Sequence, residues 1–435
     1  MRISRRSFLK GMSASAALSS LHVLGLATRA SALAGPGAPI LVLVNLRGGN
    51  DLLNTIVPLN DVGAPQRTLY QQMRPDLAIP LSSLSVMGVG PDPVLGTGLA
   101  LHPALGGLKQ LYDQGRLACV LGAGLEGNSL SHFEAEKVWY FGRSDILTSS
   151  TGWMGRHMDL SDDGLPHAVS FGGLVTPAFD AQLAPSLGVR SVARFQLPDD
   201  REWEWRDGEA RAATLDAILA EARTGAADGV ARAGRVLMDQ IAFLEGVQTT
   251  GWGSALEEEG GPGADLREIG SLLRHDELNP GAASGFCLYH VKIGGYDTHS
   301  RQGTLDAAGG HPQLLTNLSR WLSGFQQDLD SLGVADRVLT LVYSEFGRRP
   351  IQNASGNDAG TDHGTAGAML LMGNRAAGGM YGAMPRLDQL DSHENLTVTT
   401  DFRRVYAAVI DDFLAGDHTA VLPGGPFPLL PLIQA

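Results

Sequence analysis

Cysteine is almost missing: Cys119 and Cys287 are the two in 435 residues. Two thiols cannot build a four-thiolate zinc site or a cluster held by cysteines alone. Both lie in apolar runs that read as strands, 117–122 and 286–293, which leaves a disulfide and a pair of inert buried thiols equally open. Basic side chains are also few, 33 Lys and Arg against 46 Asp and Glu, a formal charge of −13. That surface repels nucleic acid and anionic membranes at long range, so neither is an expected partner. Past residue 34 no apolar run approaches the ~20 residues of a membrane-spanning helix, so no membrane anchor is expected there. Neither G-x-S-x-G nor a Walker A loop occurs in that part of the chain, which disfavours α/β-hydrolases and P-loop enzymes.

What is present begins with Ser4-Arg5-Arg6-Ser7-Phe8-Leu9-Lys10, a twin-arginine export signal. A mildly apolar stretch follows from Gly11 to Ala27, and Ala32-Leu33-Ala34 fits the small-residue rule for cleavage. Residues 1–34 therefore read as a signal peptide, with the twin-arginine translocase as the transient partner and a periplasmic or secreted destination. That route carries folded proteins, so a cofactor can be inserted before export. Removing the segment takes five basic residues and no acids, which makes the mature chain still more acidic.

Residues 35–435 read as one α/β domain. Pro39 to Leu46 is a continuous apolar run, the mark of a strand covered on both faces. Strands at 117–122, 286–293, 337–343 and 366–372 alternate with helices at 101–114, 131–140 and 313–332. This alternation predicts a mostly parallel central sheet inside a three-layer α/β/α sandwich. The stretch from about 150 to 284 is rich in Ala, Arg, Asp and Glu around 209–247 and reads as a helical elaboration of that domain.

In open α/β sheets, ligands collect beyond the carboxyl ends of the strands. Five polar clusters fall there: Asn50-Asp51; Ser129 to His132; Asp297-Thr298-His299; Ser344-Glu345; and Thr361-Asp362-His363-Gly364. Oxygen and nitrogen donors of this kind suit zinc, manganese, calcium or magnesium. In Asp297-x-His299 the two side chains share a face if the segment is extended, so both can reach one ion. Each residue also has a plainer reading. Asp51 can make an Asx-turn, Ser131 can cap a helix opposite Glu134, and Glu345 can pair with Arg348. A competing motif, Gly122-Ala123-Gly124-Leu125-Glu126-Gly127, spells a dinucleotide fingerprint. Its third glycine falls before the helix cap, and no strand leads into Asp145 at the ribose-binding distance, so a glycine-rich turn is the better reading.

The motifs Gly48-Gly49-Asn50-Asp51, Ser131-His132-Phe133, Gly295-Tyr296-Asp297-Thr298-His299, Ser344-Glu345-Phe346-Gly347-Arg348, Gly360-Thr361-Asp362-His363-Gly364 and Thr400-Asp401-Phe402-Arg403 resemble the DUF1501 family. Its members are exported proteins of uncharacterised activity, distantly related to the alkaline phosphatase and sulfatase superfamily. The resemblance implies an alkaline-phosphatase-like fold and a metal-dependent hydrolase of phosphate or sulfate esters. It implies a metal held by Asp51, Asp297, His299, Glu345 and His363, with Ser131 or a metal-activated water as nucleophile. His132 or Asp362 would be the general acid, and Arg348 would clamp the anionic ester. Where the superfamily carries an Asp-His dipeptide this chain has Glu345-Phe346, and Arg47 follows the first strand where an Asp is usual. These departures favour a one-metal site, or a catalytically degenerate binding or assembly protein that keeps the fold.

Overall fold

The computed structural model describes residues 37–434 except 146–149, 161–164, 196–207, 222–225 and 306–308, so the export signal lies outside the described residues. The strands are β1 (Ile40–Leu46), β2 (Ile56–Pro58), β3 (Gly88–Pro91), β4 (Gly98–Leu101), β5 (Leu117–Gly124), β6 (Ala168–Phe171) and β7 (Ser186–Val189). They continue with β8 (Leu288–Ile293), β9 (Val338–Tyr343), β10 (Gly347–Gln352), β11 (Thr361–Gly364), β12 (Gly367–Met372), β13 (Gly379–Gly382) and β14 (Thr400–Asp401).

Nine of these form one sheet in the order β13-β5-β12-β9-β1-β8-β6-β7, with β14 beside β5. β12 is antiparallel to both of its neighbours, and the other pairs in this sheet are parallel. β1 and β9 sit at the centre and are buried at every position, which is why their sequences read as unbroken apolar runs. Helices cover both faces. On one, Trp139 stacks on Tyr343 and Phe402, and Trp153 stacks on Tyr406 with ring centroids 4.1 Å apart. On the other, the helices Gly106–Asp113, Pro262–Leu278 and Gly310–Leu332 pack together. The molecule is a three-layer α/β/α sandwich with a mostly parallel sheet.

Two details differ from the sequence reading. Among the described residues, the region 150–284 carries four α-helices (Trp153–Asp159, Gly208–Ala220, Ala226–Glu245 and Pro262–Leu278) but also supplies β6 and β7, which extend the sheet to its edge. Strands of four residues are too short for alternation to stand out against helical surroundings. The helix read from 101 begins only at Gly106, because Leu101 ends β4 and Pro103 opens a 3₁₀ turn. Cys119 and Cys287 are both buried and form no disulfide, and β12, β9 and β1 stand between the strands near them.

The glycine-rich turn after β5 is a packing device. A Cβ on Gly122, whose φ is +61°, would lie 1.9 Å from Thr399 Oγ1, and the next helix starts only at His132. Topology then gathers the polar loops. β1, β5, β8 and β9 run in one direction, so the loops leaving them emerge at one edge of the sheet. Because β12 is reversed, the β10–β11 hairpin that feeds it lies at that same edge.

Candidate metal centre

Asp297 is the hub of the five loops. Its Oδ1 lies 3.0 Å from His299 Nε2 and 3.0 Å from His363 Nε2, and those two nitrogens are 2.9 Å apart. Its Oδ2 lies 3.4 Å from His132 Nε2. His132, Asp297 and His363 each present a donor atom within 4.8 Å of the other two. Ligands about 2.1 Å from a shared ion stand about 3–3.4 Å from one another, the spacing found here.

The outer nitrogens decide what this spacing means. His299 Nδ1 faces Asp362 Oδ1 at 3.0 Å, His363 Nδ1 faces the Leu130 carbonyl at 2.8 Å, and His132 Nδ1 faces Glu345 Oε1 at 2.7 Å. Each partner only accepts, so each neutral ring carries its proton on Nδ1 and aims the Nε2 lone pair inward. Lone pairs of His299, His363 and the Asp297 carboxylate then converge. One proton can lie between only two of the three, whereas a divalent cation satisfies them all. An imidazole tied back through its second nitrogen is also the usual second shell of a metal-bound histidine. The donor set therefore fits a divalent cation.

Charge states agree. Burial works to raise the Asp297 pKa, but the Arg348 guanidinium hydrogen-bonded to it overcomes that and holds the carboxyl well below the usual range. Burial, the largest influence on His363, lowers its pKa and so favours the neutral ring. The hydrogen bond from Asn353 lowers the Asp362 pKa, with His299 adding to it. Ionised carboxylates and neutral imidazoles are the state that binds metal. Asp297 and His299 remain 46% and 44% exposed, so the centre opens to solvent.

The remaining candidates are placed differently from one another. Glu345 is fully buried and does not reach the triad of donors; it accepts from Gly48 N at 2.8 Å and from His132, and so orients that ring. Asp362 likewise stands behind His299, held by Asn353. Asp51 is not brought to the centre. Its carboxylate is buried and filled by Arg74, which donates to both oxygens at 2.5 and 3.0 Å, by Gln302 and by Leu53 N. The Leu53 bond is the Asx-type cap of the short helix Leu52–Thr55. Arg348, expected as a clamp, is wholly buried and donates to the carbonyls of Gly48, Gly49, Tyr296 and Thr361 as well as to Asp297. No N–H of it faces solvent, so it stitches the loops together.

Ser131 is the exposed N-cap of the helix His132–Phe141, and its hydroxyl makes no capping bond. Glu134 instead accepts from Ser129 Oγ at 2.6 Å, so the expected capping box does not form. Phe346 packs against His132 and His363 with ring centroids 4.9 and 4.6 Å away, forming an apolar wall beside those two imidazoles. Arg74, Gln302 and Asn353 had no signal in the sequence, because Arg74 and Gln302 meet Asp51 from 23 and 251 positions away and Asn353 ties Asp362 to the His299 carbonyl 54 positions away.

Residues 282–413 match the family model described as a protein of unknown function, DUF1501. That span contains Asp297, His299, Glu345, Arg348, Asp362 and His363, so the resemblance seen in the motifs holds across the second half of the site. No curated protein matches the chain. Similar solved structures include the lipoteichoic acid synthase LtaP from Listeria monocytogenes, at 10% identity and a TM-score of 0.32 over 87% of this chain and 79% of that one. They include the PsFucS1 sulfatase from Pseudoalteromonas sp., at 10% identity and 0.34 over 87% and 68%. The phosphonate monoester hydrolase SpPMH from Silicibacter pomeroyi matches at 8% identity and 0.29 over 89% and 77%.

Proposed function

We propose that this protein is an exported, divalent-cation-dependent hydrolase of phosphate or sulfate esters. The observation that carries the reading is the convergence of His299 Nε2, His363 Nε2 and Asp297 Oδ1 within 3.0 Å, each imidazole tied back through Nδ1. Asp297, His299, His363 and His132 would hold the cation, and Glu345 and Asp362 would orient two of the rings. A bound divalent cation supplies Lewis acidity toward an anionic ester oxygen.

The chain's own groups complete the chemistry. Ser131 offers a hydroxyl with no hydrogen bond among the described residues, one residue from His132 and at the positive end of a ten-residue helix. The His132 and Phe133 amides, in the first turn, have no intrahelical acceptor and would face a bound oxyanion. Ser131 is the nucleophile in this reading. Phe346, packed on two of the imidazoles, favours the second reading, a degenerate binding protein.

Activity separates the two. The cation-loaded protein should hydrolyse at least one of p-nitrophenyl phosphate, bis(p-nitrophenyl) phosphate and p-nitrophenyl sulfate. Ser131→Ala should lower that kcat about 100-fold or more while metal content stays constant, in keeping with loss of a nucleophile. No turnover of any ester by the loaded protein would favour the binding reading.

A further inference from the structure

Beside the centre lies a group of charges with no part in holding it. Arg47 follows β1, Lys292 lies near the end of β8, and Glu136 lies one turn along the helix from His132. Arg47 Nε and Lys292 Nζ reach the same carboxylate oxygen, Glu136 Oε1, at 3.1 and 2.7 Å. Two cations share one anion, leaving an excess positive charge in a chain whose formal charge is −13.

The donors are not used up. Both terminal nitrogens of the Arg47 guanidinium are without an acceptor among the described residues, and Lys292 has no further ion pair there. Their side chains are 42% and 37% exposed, against 11% for Glu136, so the cations face solvent and the carboxylate sits beneath them. The backbone fixes where Arg47 stands. Arg47 N donates to Ile293 O, Tyr296 N donates to Arg47 O, and the next amide, Gly48 N, holds Glu345 behind His132. Arg47 is thus built into the loops around Asp297, and its partner Glu136 stands about one helical turn, or ~5 Å, along the helix from His132.

We propose that Arg47 and Lys292 form a second anion subsite, and that the preferred substrate is an ester carrying a further phosphate, sulfate or carboxylate a few bonds from the reacting group. A planar guanidinium fork takes such an oxyanion in bidentate fashion, and the ammonium adds a point charge. Glu136 draws both cations together and, by the same contact, competes with the ligand. This subsite rests on the ester-hydrolase reading, because it selects among the anions the centre would accept.

The test compares two matched probes, propyl phosphate and propane-1,3-diol bisphosphate, by calorimetry on cation-loaded protein. The bisphosphate should bind the parent about tenfold more tightly, the effect of one added charge-assisted contact. The Arg47→Gln/Lys292→Gln variant should bind both probes alike, with its propyl phosphate affinity and metal content unchanged. Glu136→Gln should move the other way and widen the bisphosphate advantage, since it frees both cations. An ion-pair network that merely braces the fold would not give that opposite sign. Equal binding of the two probes by the parent, or an advantage that survives in the double variant, would overturn the subsite alone. Failure of the loaded parent to bind either probe would overturn the anion centre, and the subsite with it.

Discussion

At the scale of single residues, two aspartates of similar promise in the sequence have opposite roles. Asp362 touches His299 Nδ1 and belongs to the outer support of the centre. Asp362→Ala should weaken metal binding about 10–100-fold, read by competition with a chromogenic chelator, as second-shell losses usually do. Unchanged affinity would mean that His299 is oriented by something else. Asp51 is locked to Arg74, with both side chains wholly out of water. Asp51→Ala leaves a buried guanidinium unpaired and should cost about 3–5 kcal/mol in urea unfolding, without altering the metal content of the folded protein. The sequence offered both residues as Asp in a glycine-rich loop. What separates them is Arg74, 23 positions from Asp51, and no local pattern announces that partner. His132 was legible as chemistry, but its inward Nε2 depends on Glu345, 213 positions away.

Among elements, the hairpin of β10 and β11 connects the loops. Arg348 and His363 are cross-strand partners, so the arginine that gathers the Gly48, Gly49, Tyr296 and Thr361 carbonyls stands beside a donor of the centre. Its use in the interior could not be read from Phe346-Gly347-Arg348-Arg349, where nothing says which arginine turns inward. Gly48 shows how tightly the loops approach: its φ is +125°, and a Cβ there would lie 2.2 Å from the Asp297 amide. Gly48→Ala should displace Asp297 and reduce metal affinity at least tenfold by the same competition assay, while a control at the open Gly106 leaves affinity unchanged. Equal affinity in both would show that the loop spacing does not set the centre. The long strands and helices were readable because burial on two faces leaves unbroken apolar runs, as in β1 and β9. β6 and β7, four residues each, left no such trace.

For the whole molecule, parallel topology explains why clusters scattered from Asn50 to Gly364 meet at one edge, and this much was legible from strand ends alone. Stability has a separate control far from those loops in sequence. Burial, with Glu268 adding to it, raises the Asp265 pKa to about 7. The folded state then binds a proton that the unfolded state has already lost, so this group's contribution falls as pH rises from about 4 and levels off above about 7. Asp265→Asn should therefore raise Tm by an amount that grows from pH 4 to pH 8, and a constant difference across that range would contradict the assignment. The central claim concerns the cation. The most direct measurement is elemental mass spectrometry of the full chain, purified without chelator, beside the His299→Ala/His363→Ala variant. The account predicts near-stoichiometric zinc, manganese, calcium or magnesium in the parent and its loss in the variant. A parent that carries no metal and takes up none on reconstitution, or a variant that keeps its full content, would contradict it.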